Sequence, residues 1–229
     1  MRKGEVRRQA IIEASEKLFC QNGYLETTVD DILQELKCSK GSFYHYFDSK
    51  LSVLKAICQS RVQRSFDMYK ATRVKNTREK FNALLYWAQL LRPEEEDFLY
   101  LMLRLRDREE SAVMDGVLRG ELRALFKPEL NDLMMILTET GAAYAARPGL
   151  EYLAFECFTA LYDQVCEAML SCVREGENVA DTLSSVVSAA RFLWERMLDM
   201  EYGSVEIVSL EEAIPLMERI AQRLCAATV

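Results

Sequence analysis

The chain has 229 residues, half of them hydrophobic, so it is long enough to bury a large core, and no unbroken apolar run is long enough to predict a membrane span. The formal net charge of −7 is uneven: residues 1–64 hold 11 Lys/Arg and 8 Asp/Glu, whereas residues 65–229 hold 18 and 28. The first 64 residues are therefore basic and the remainder is acidic, which suggests that only the N-terminal part binds a polyanion.

Cysteine and histidine usage argues against a metal site. Seven cysteines are scattered without a Cys-x-x-Cys pair, and the chain has a single histidine. The start of the chain is basic, but Glu13, Glu16 and Lys17 break up its apolar residues, whereas a secretion signal needs an unbroken apolar stretch. We therefore expect reduced thiols in a cytoplasmic protein, with neither a metal nor a cofactor.

The first predicted helices lie at the N-terminus. Apolar residues recur at helical spacing from Ile11 to Phe19, and this helix should end at Gly23, which suits a left-handed cap. Thr28 is followed three residues later by Asp31, a variant of the capping box, so a second helix should begin at Thr28.

The stretch "KCSKGSFYHYF" then predicts a short break and a third helix, and Asp48 is the expected N-cap of a long fourth helix. About four residues join the second and third helices, which is the spacing of a helix-turn-helix at about residues 27–46. Helical periodicity continues to the end of the chain, and the predicted fold is all-α. Further helices are predicted near 77–91, 94–107, 109–140, 149–175, 179–200 and 209–227.

The lone histidine, His45, could be a catalytic base, a metal ligand, a packed core residue or a reader of another molecule. On a helix at about 100° per residue, Phe43 and Phe47 share the inward face and His45 points away from it. No second histidine could share a metal, and no G-x-S-x-G motif surrounds His45. We interpret His45 as part of an outward polar face, and we do not expect an enzyme.

The residues of that outward face are of the types that bind DNA. The N-terminus of the third helix offers free backbone N–H donors to phosphate, and Gly41 permits close approach of the helix to the sugar-phosphate backbone of DNA. Lys40 adds positive charge, while Ser42, Tyr44 and His45 can contact phosphates or base edges. The predicted DNA-binding residues are Thr28, Ser39, Lys40, Gly41, Ser42, Tyr44, His45 and Lys50.

The segment "GYLETTVDDILQELKCSKGSFYHYFDSKLSVLKAI" resembles the N-terminal signature of TetR-family (TetR/AcrR-type) transcriptional regulators. The likeness is confined to the N-terminal part of the chain. One departure is Lys37-Cys38, where the family usually has a pair like Gly-Val at the turn. The resemblance implies a DNA-binding domain at residues 1–64 and a helical effector-binding and dimerisation domain at residues 65–229.

By the same resemblance, the expected function is a ligand-responsive repressor. Two headpieces of a homodimer would bind a palindromic double-stranded operator, and a small-molecule effector would release it. The helix at 149–175 is apolar nearly all round, which fits a helix buried between two subunits but also the core of a monomer. The alternative function is a helical protein-interaction module that has lost DNA binding.

The acidic body and its Met- and aromatic-rich helices favour an apolar or cationic effector. Any one of these side chains could equally be ordinary core. The candidate ligand-binding residues are Tyr86, Trp87, Phe98, Met102, Met134, Met135, Tyr144, Phe155, Phe158 and Tyr162.

Overall fold

The computed structural model describes residues 3–106, 108–139 and 150–227. Throughout these ranges the regular secondary structure is helical, which confirms the predicted all-α class. Two groups of helices follow the chain order, a small N-terminal headpiece and a larger body. The described helices include none that is long and apolar enough to span a membrane.

The headpiece consists of three helices and the start of a fourth. The helix α1 ends where Gly23 takes φ +98°, the left-handed conformation that glycine adopts without strain. The predicted capping box at Thr28 is confirmed. Helix α1 packs on α2 and α4, and the buried rings of Phe19, Phe43 and Phe47 belong to the core that forms there. The bounds are α1 Lys3–Asn22, α2 Val29–Leu36, α3 Lys40–Tyr44 and α4 Lys50–Ala71.

The N-cap of α4 is Ser49, so the prediction of Asp48 was wrong. The Ser49 hydroxyl accepts from the backbone N–H of Ser52 at 3.1 Å, and the Ser52 hydroxyl accepts from the Ser49 N–H at 3.1 Å. This reciprocal capping box satisfies two donors at once, and Ser49 has the extended backbone that an N-cap requires. The predicted domain boundary after residue 64 falls inside α4, which continues to Ala71; the division into domains stays a prediction.

The body consists of six further α-helices in the described ranges. Helix α7 packs against α4 and α5, α8 packs along α9, and α10 lies against α6, α8 and α9. The predicted break at Arg92-Pro93 is present, with Pro93 opening a 3-10 turn. The bounds are α5 Thr77–Ala88, the 3-10 turn Pro93–Glu95, α6 Glu96–Leu105, α7 Glu109–Glu139, α8 Leu150–Glu175, α9 Val179–Met197 and α10 Leu210–Ala227.

A buried network of charges ties the headpiece to the body. Arg61 on α4 pairs with Glu16 on α1 and, at 2.9 Å, with Glu95 in the 3-10 turn. Glu95 also pairs with Arg92 at 3.2 Å, and Arg92 donates to the Ser65 hydroxyl on α4 at 2.8 Å. Both Arg92 and Glu95 are only 2% exposed, so these contacts form out of water and fix the geometry between the helices.

Candidate nucleic-acid interface

The start of α2 is fixed by Thr28. Its hydroxyl accepts from the Asp31 backbone N–H at 3.1 Å, while the Asp31 carboxylate accepts from the Thr28 backbone N–H and hydroxyl, each at 2.7 Å. These hydrogen bonds, the backbone one first, lower the pKa of Asp31. Thr28 therefore serves as the cap of α2, and its predicted contact with DNA stays a prediction.

The turn between α2 and α3 reverses the chain through Lys37. This residue has φ 48° and ψ 50°, the left-handed conformation that non-glycine side chains rarely adopt. The Cys38 N–H donates to the Leu33 carbonyl at 3.0 Å, which closes the end of α2. The geometry of a Gly-type turn is thus kept although the residue is lysine, and the strain falls on Lys37.

Helix α3 is held by its N-cap and by two aromatic anchors. The Ser39 hydroxyl accepts from the Ser42 N–H at 3.3 Å. Phe43 and Phe47 are buried, and their ring centres lie 6.1 Å apart. Because these two rings fix the inward face, the opposite face of α3 turns outward.

The outward face carries most of the predicted DNA-binding residues. Tyr44 and His45 are exposed, and Ser42 is partly exposed. An added Cβ at Gly41 would meet no described heavy atom within 4 Å, so a bound molecule could approach this backbone closely. The Lys40 ammonium is exposed and lies 3.2 Å from the Asp30 carboxylate.

Lys50 is engaged inside the headpiece. Its ammonium donates to the carbonyl oxygens of Tyr24 and Thr27, and it lies 4.3 Å from the centre of the Tyr24 ring. The phosphate contact predicted for Lys50 stays a prediction.

Two basic residues that the sequence argument left out lie beside α3. Arg7 and Tyr46 line one groove of about 580 Å³ at the C-terminal end of α3, and the Arg8 guanidinium lies 5.0 Å from the centre of the Phe47 ring. The signal available in the sequence was the basic start of α1, but its position next to α3 depends on the packing of the two helices.

The candidate ligand-binding residues of the body do not all lie in the buried interior. Phe98, Met102, Met134, Phe155, Phe158 and Tyr162 are buried, whereas Tyr86 and Trp87 are half-buried on α5. Met135 departs from the expected interior position and is 57% exposed, because neighbouring helix positions point about 100° apart and Met134 takes the inward one. Tyr144 lies outside the described residues.

Buried polar groups also occur in this interior. Gln89 is buried, its side-chain nitrogen donates to the Phe158 carbonyl at 3.1 Å, and its side-chain oxygen has no partner among the described residues. The buried Tyr162 hydroxyl likewise forms no hydrogen bond to a nitrogen or oxygen atom of the described residues. Sequence reasoning missed Gln89, since a glutamine at the end of a helix carries no signal of burial.

The side chains that could bind a metal ion are dispersed in the part of the chain that the structure describes. Across the described residues, no three His, Cys, Asp or Glu side chains are grouped so that they could hold a metal ion. The seven cysteines are all free thiols.

The fold and the headpiece define an all-helical protein with a helix-turn-helix. Residues 11–57 match the family model of bacterial regulatory proteins, tetR family. The HTH-type transcriptional regulator YuxN of Bacillus subtilis (strain 168) is 41% identical over 70 residues, which cover 31% of this chain and 22% of YuxN. HbdR of Aromatoleum sp. (strain CIB) is 46% identical over 50 residues, or 22% of each protein.

The chain matches less than half the length of these curated relatives. Solved structures extend the likeness of fold to the body. Salmonella enterica GusR has a TM-score of 0.60 at 16% identity and covers 87% of this chain, and 98% of GusR is covered. The fatty acid degradation regulator FadR from Bacillus halodurans has a TM-score of 0.55 at 17% identity, with 96% and 94% covered. Residues 11–57 are thus similar to the N-terminal domain of tetR-family regulators, and the fold of the chain is similar to that of these solved structures.

Proposed function

We propose that this protein binds a palindromic DNA operator as a homodimer, represses transcription there, and is released by a small molecule that binds the body. The observation that carries the proposal is the outward face of α3, where Tyr44 and His45 are exposed above the buried anchors Phe43 and Phe47. A helix of this kind fits the major groove, and its exposed N-terminus suits phosphate.

The dimer proposal is supported by apolar side chains exposed on α8 and α9. Leu153 and Leu193 are 62% and 59% exposed, and Phe192 is 49% exposed. An apolar groove of about 240 Å³ between the two helices is lined by residues that include Leu161, Val186, Leu193 and Met197. A second copy of this chain, presenting the same face across a two-fold axis, would cover these residues.

The DNA-binding part is tested by selecting fragments from a random DNA pool with the purified protein and then measuring their affinity. Tyr44→Ala should weaken binding to the selected fragment by about tenfold, in keeping with ~1–3 kcal/mol for a good base contact. Tyr202→Ala is a matched control, since Tyr202 is an exposed tyrosine of the body. Equal affinity of both variants and the wild type would contradict base recognition by α3 and would favour the protein-interaction module.

The dimer is tested by sedimentation at micromolar concentration, where about twice 26.4 kDa is expected. Leu193→Asp should shift the protein toward monomer, because it puts a charge into the proposed apolar interface. Met68→Asp changes an exposed apolar residue on α4 and should leave the mass unchanged. A wild-type monomer would contradict binding to two half-sites.

A further inference from the structure

A groove on the outer side of α5 is distinct from the headpiece and from the buried interior of the body. It has a volume of about 720 Å³ and lies between the connection from α4 to α5, one side of α5, and the segment that leads into α10. Ala83 and Val208 contribute apolar surface, and Tyr86 and Trp87 contribute aromatic surface. The volume is that of a small-molecule site.

The ionisable side chains that line this groove, apart from the Tyr86 hydroxyl, are all acidic. They are Glu79 on α5, Glu206 on the segment that leads into α10, and Glu211 in the first turn of α10. Among the described residues, Glu206 and Glu211 take part in no salt bridge, so no cation in that part of the chain pairs with them directly. Glu79 accepts from the Lys75 backbone N–H at 2.8 Å, which holds its carboxylate in place and leaves its charge.

The aromatic residues of the groove are fixed in position. The Tyr86 hydroxyl donates to Glu212 at 3.1 Å, and the Trp87 ring N–H donates to the Thr72 hydroxyl at 2.8 Å. Burial, together with the Glu212 charge, raises the pKa of Tyr86 to about 12, so this hydroxyl stays a neutral donor. The Trp87 ring already has a cation near it, because the Arg92 guanidinium lies 4.7 Å from its centre.

Asn82 lines the same groove and links α5 to the segment that leads into α10. The side-chain oxygen of Asn82 is buried and has no hydrogen-bond partner among the described residues, while its nitrogen donates to the Ser204 carbonyl at 3.2 Å. Because this oxygen is buried, Asn82 contributes to the groove by anchoring the segment at Ser204 and not by contacting a ligand.

The wall opposite α5 is held in place by a buried carboxylate. Glu195 is buried, and it accepts from the backbone N–H groups of Gly203 at 2.8 Å and Val205 at 3.3 Å. Together with the contact from Asn82 to Ser204, these bonds fix the segment that carries Glu206. The groove is therefore formed before any ligand enters, and little ordering cost opposes binding.

We propose that this groove binds a small hydrophobic cation, a protonated amine carried on an aromatic or aliphatic body. The apolar and aromatic surface contacts the body of the ligand, the carboxylates of Glu79, Glu206 and Glu211 attract its charge, and the ammonium N–H groups donate to these carboxylates. The inference rests on the proposed function, since it names the site and the chemical class of the effector. The ligand would touch Thr72 just after α4, the helix that runs back into the headpiece.

The test is calorimetric binding of three probes with one body and different head groups: 4-phenylbutylammonium, 4-phenylbutanol and 4-phenylbutyrate. The cation should bind most tightly and the anion least. The double variant Glu206→Gln/Glu211→Gln should weaken cation binding by about two- to fivefold for each carboxylate removed and leave alcohol binding unchanged. The control is Glu218→Gln/Glu177→Gln, which makes the same charge change at two exposed sites outside the groove.

A second variant tests location independently of charge. Ala83→Phe fills the groove, so it should abolish binding of the cation and the alcohol together. Equal binding of all three probes, an equal loss in the control, or full binding by Ala83→Phe would overturn the inference. The proposed function fails differently, namely if the wild type selects no DNA. Release of that DNA by another class of ligand would overturn the groove site and leave the repressor proposal standing.

Discussion

The Nζ atom of Lys50 lies 2.9 Å from the carbonyl oxygen of Thr27, so a side chain at the start of α4 holds the connection between α1 and α2. A second bond to the Tyr24 carbonyl and the face of the Tyr24 ring complete its surroundings. Burial lowers the pKa of Lys50, against the opposing charges of Glu110 and Glu26. The residue that the sequence marked as a phosphate anchor thus has an internal structural role.

Lys50→Met should lower the melting temperature, with a loss of about 1–2 kcal/mol because the carbonyls lose a charged donor at a partly exposed site. The slope of log K against log salt for DNA binding then separates the two roles, because it stays within about 1 of the wild-type value if Lys50 acts only inside the headpiece. Lys55→Met, also on α4, is the control for charge. An unchanged melting temperature with a slope smaller by about 2 per dimer would favour the phosphate contact instead.

Lys37→Gly should stabilise the protein by up to about 1 kcal/mol, because glycine takes the left-handed backbone of this turn without the steric cost of a Cβ. Lys37→Ala removes the same charge but keeps the strain, so it should bring no gain. Chemical denaturation of the three proteins checks this. Equal stabilisation by alanine would show that charge, not backbone strain, is responsible.

His45→Ala should leave the melting temperature unchanged, because the imidazole is exposed and its ring contact is an edge-to-face one with Tyr46, the ring centres lying 4.7 Å apart. Affinity for the selected operator should fall by about five- to 100-fold, as for the loss of a good base contact. Melting and binding are measured on the same preparation. A large loss of melting temperature with unchanged affinity would contradict a DNA-facing histidine.

Arg61→Met should destabilise the protein by about 3–5 kcal/mol, because it leaves the buried carboxylate of Glu95 with one partner fewer. Replacing both residues, as Arg61→Met/Glu95→Gln, should cost less than the sum of the two single changes. Denaturation of the wild type, both single variants and the double variant gives the coupling energy. Additive effects would mean that the two side chains do not act as a pair.

The buried thiols should resist modification. Burial raises the pKa of Cys58 and of Cys166 to about 12, so at pH 8 both are protonated and hold little of the reactive thiolate. A disulfide-exchange reagent should modify exposed Cys225 first and these two only after unfolding. Cys225→Ser should remove the fast phase. Fast reaction of Cys58 in the folded protein would contradict the packing around α4.

Local patterns in the sequence were sufficient for much of the headpiece. Helical spacing alone separates Phe43 from His45, because two steps along a helix turn the side chain by about 200° and so place the two residues on opposite sides of α3. The Thr28 capping box involves residues three positions apart, so it is readable from a single stretch of chain. The break at Arg92-Pro93 follows because proline fixes φ and lacks a backbone donor.

Only the tertiary structure decided which distant residues meet. The pairing of Arg61 with Glu95 joins positions 34 apart, and the groove brings Tyr86 on α5 to Glu206 beyond α9. No periodicity encodes such contacts, because they depend on how whole helices pack. For the same reason the sequence identified Lys50 as a charge but not its partners, the carbonyls of the connection between α1 and α2, which lies far earlier in the chain.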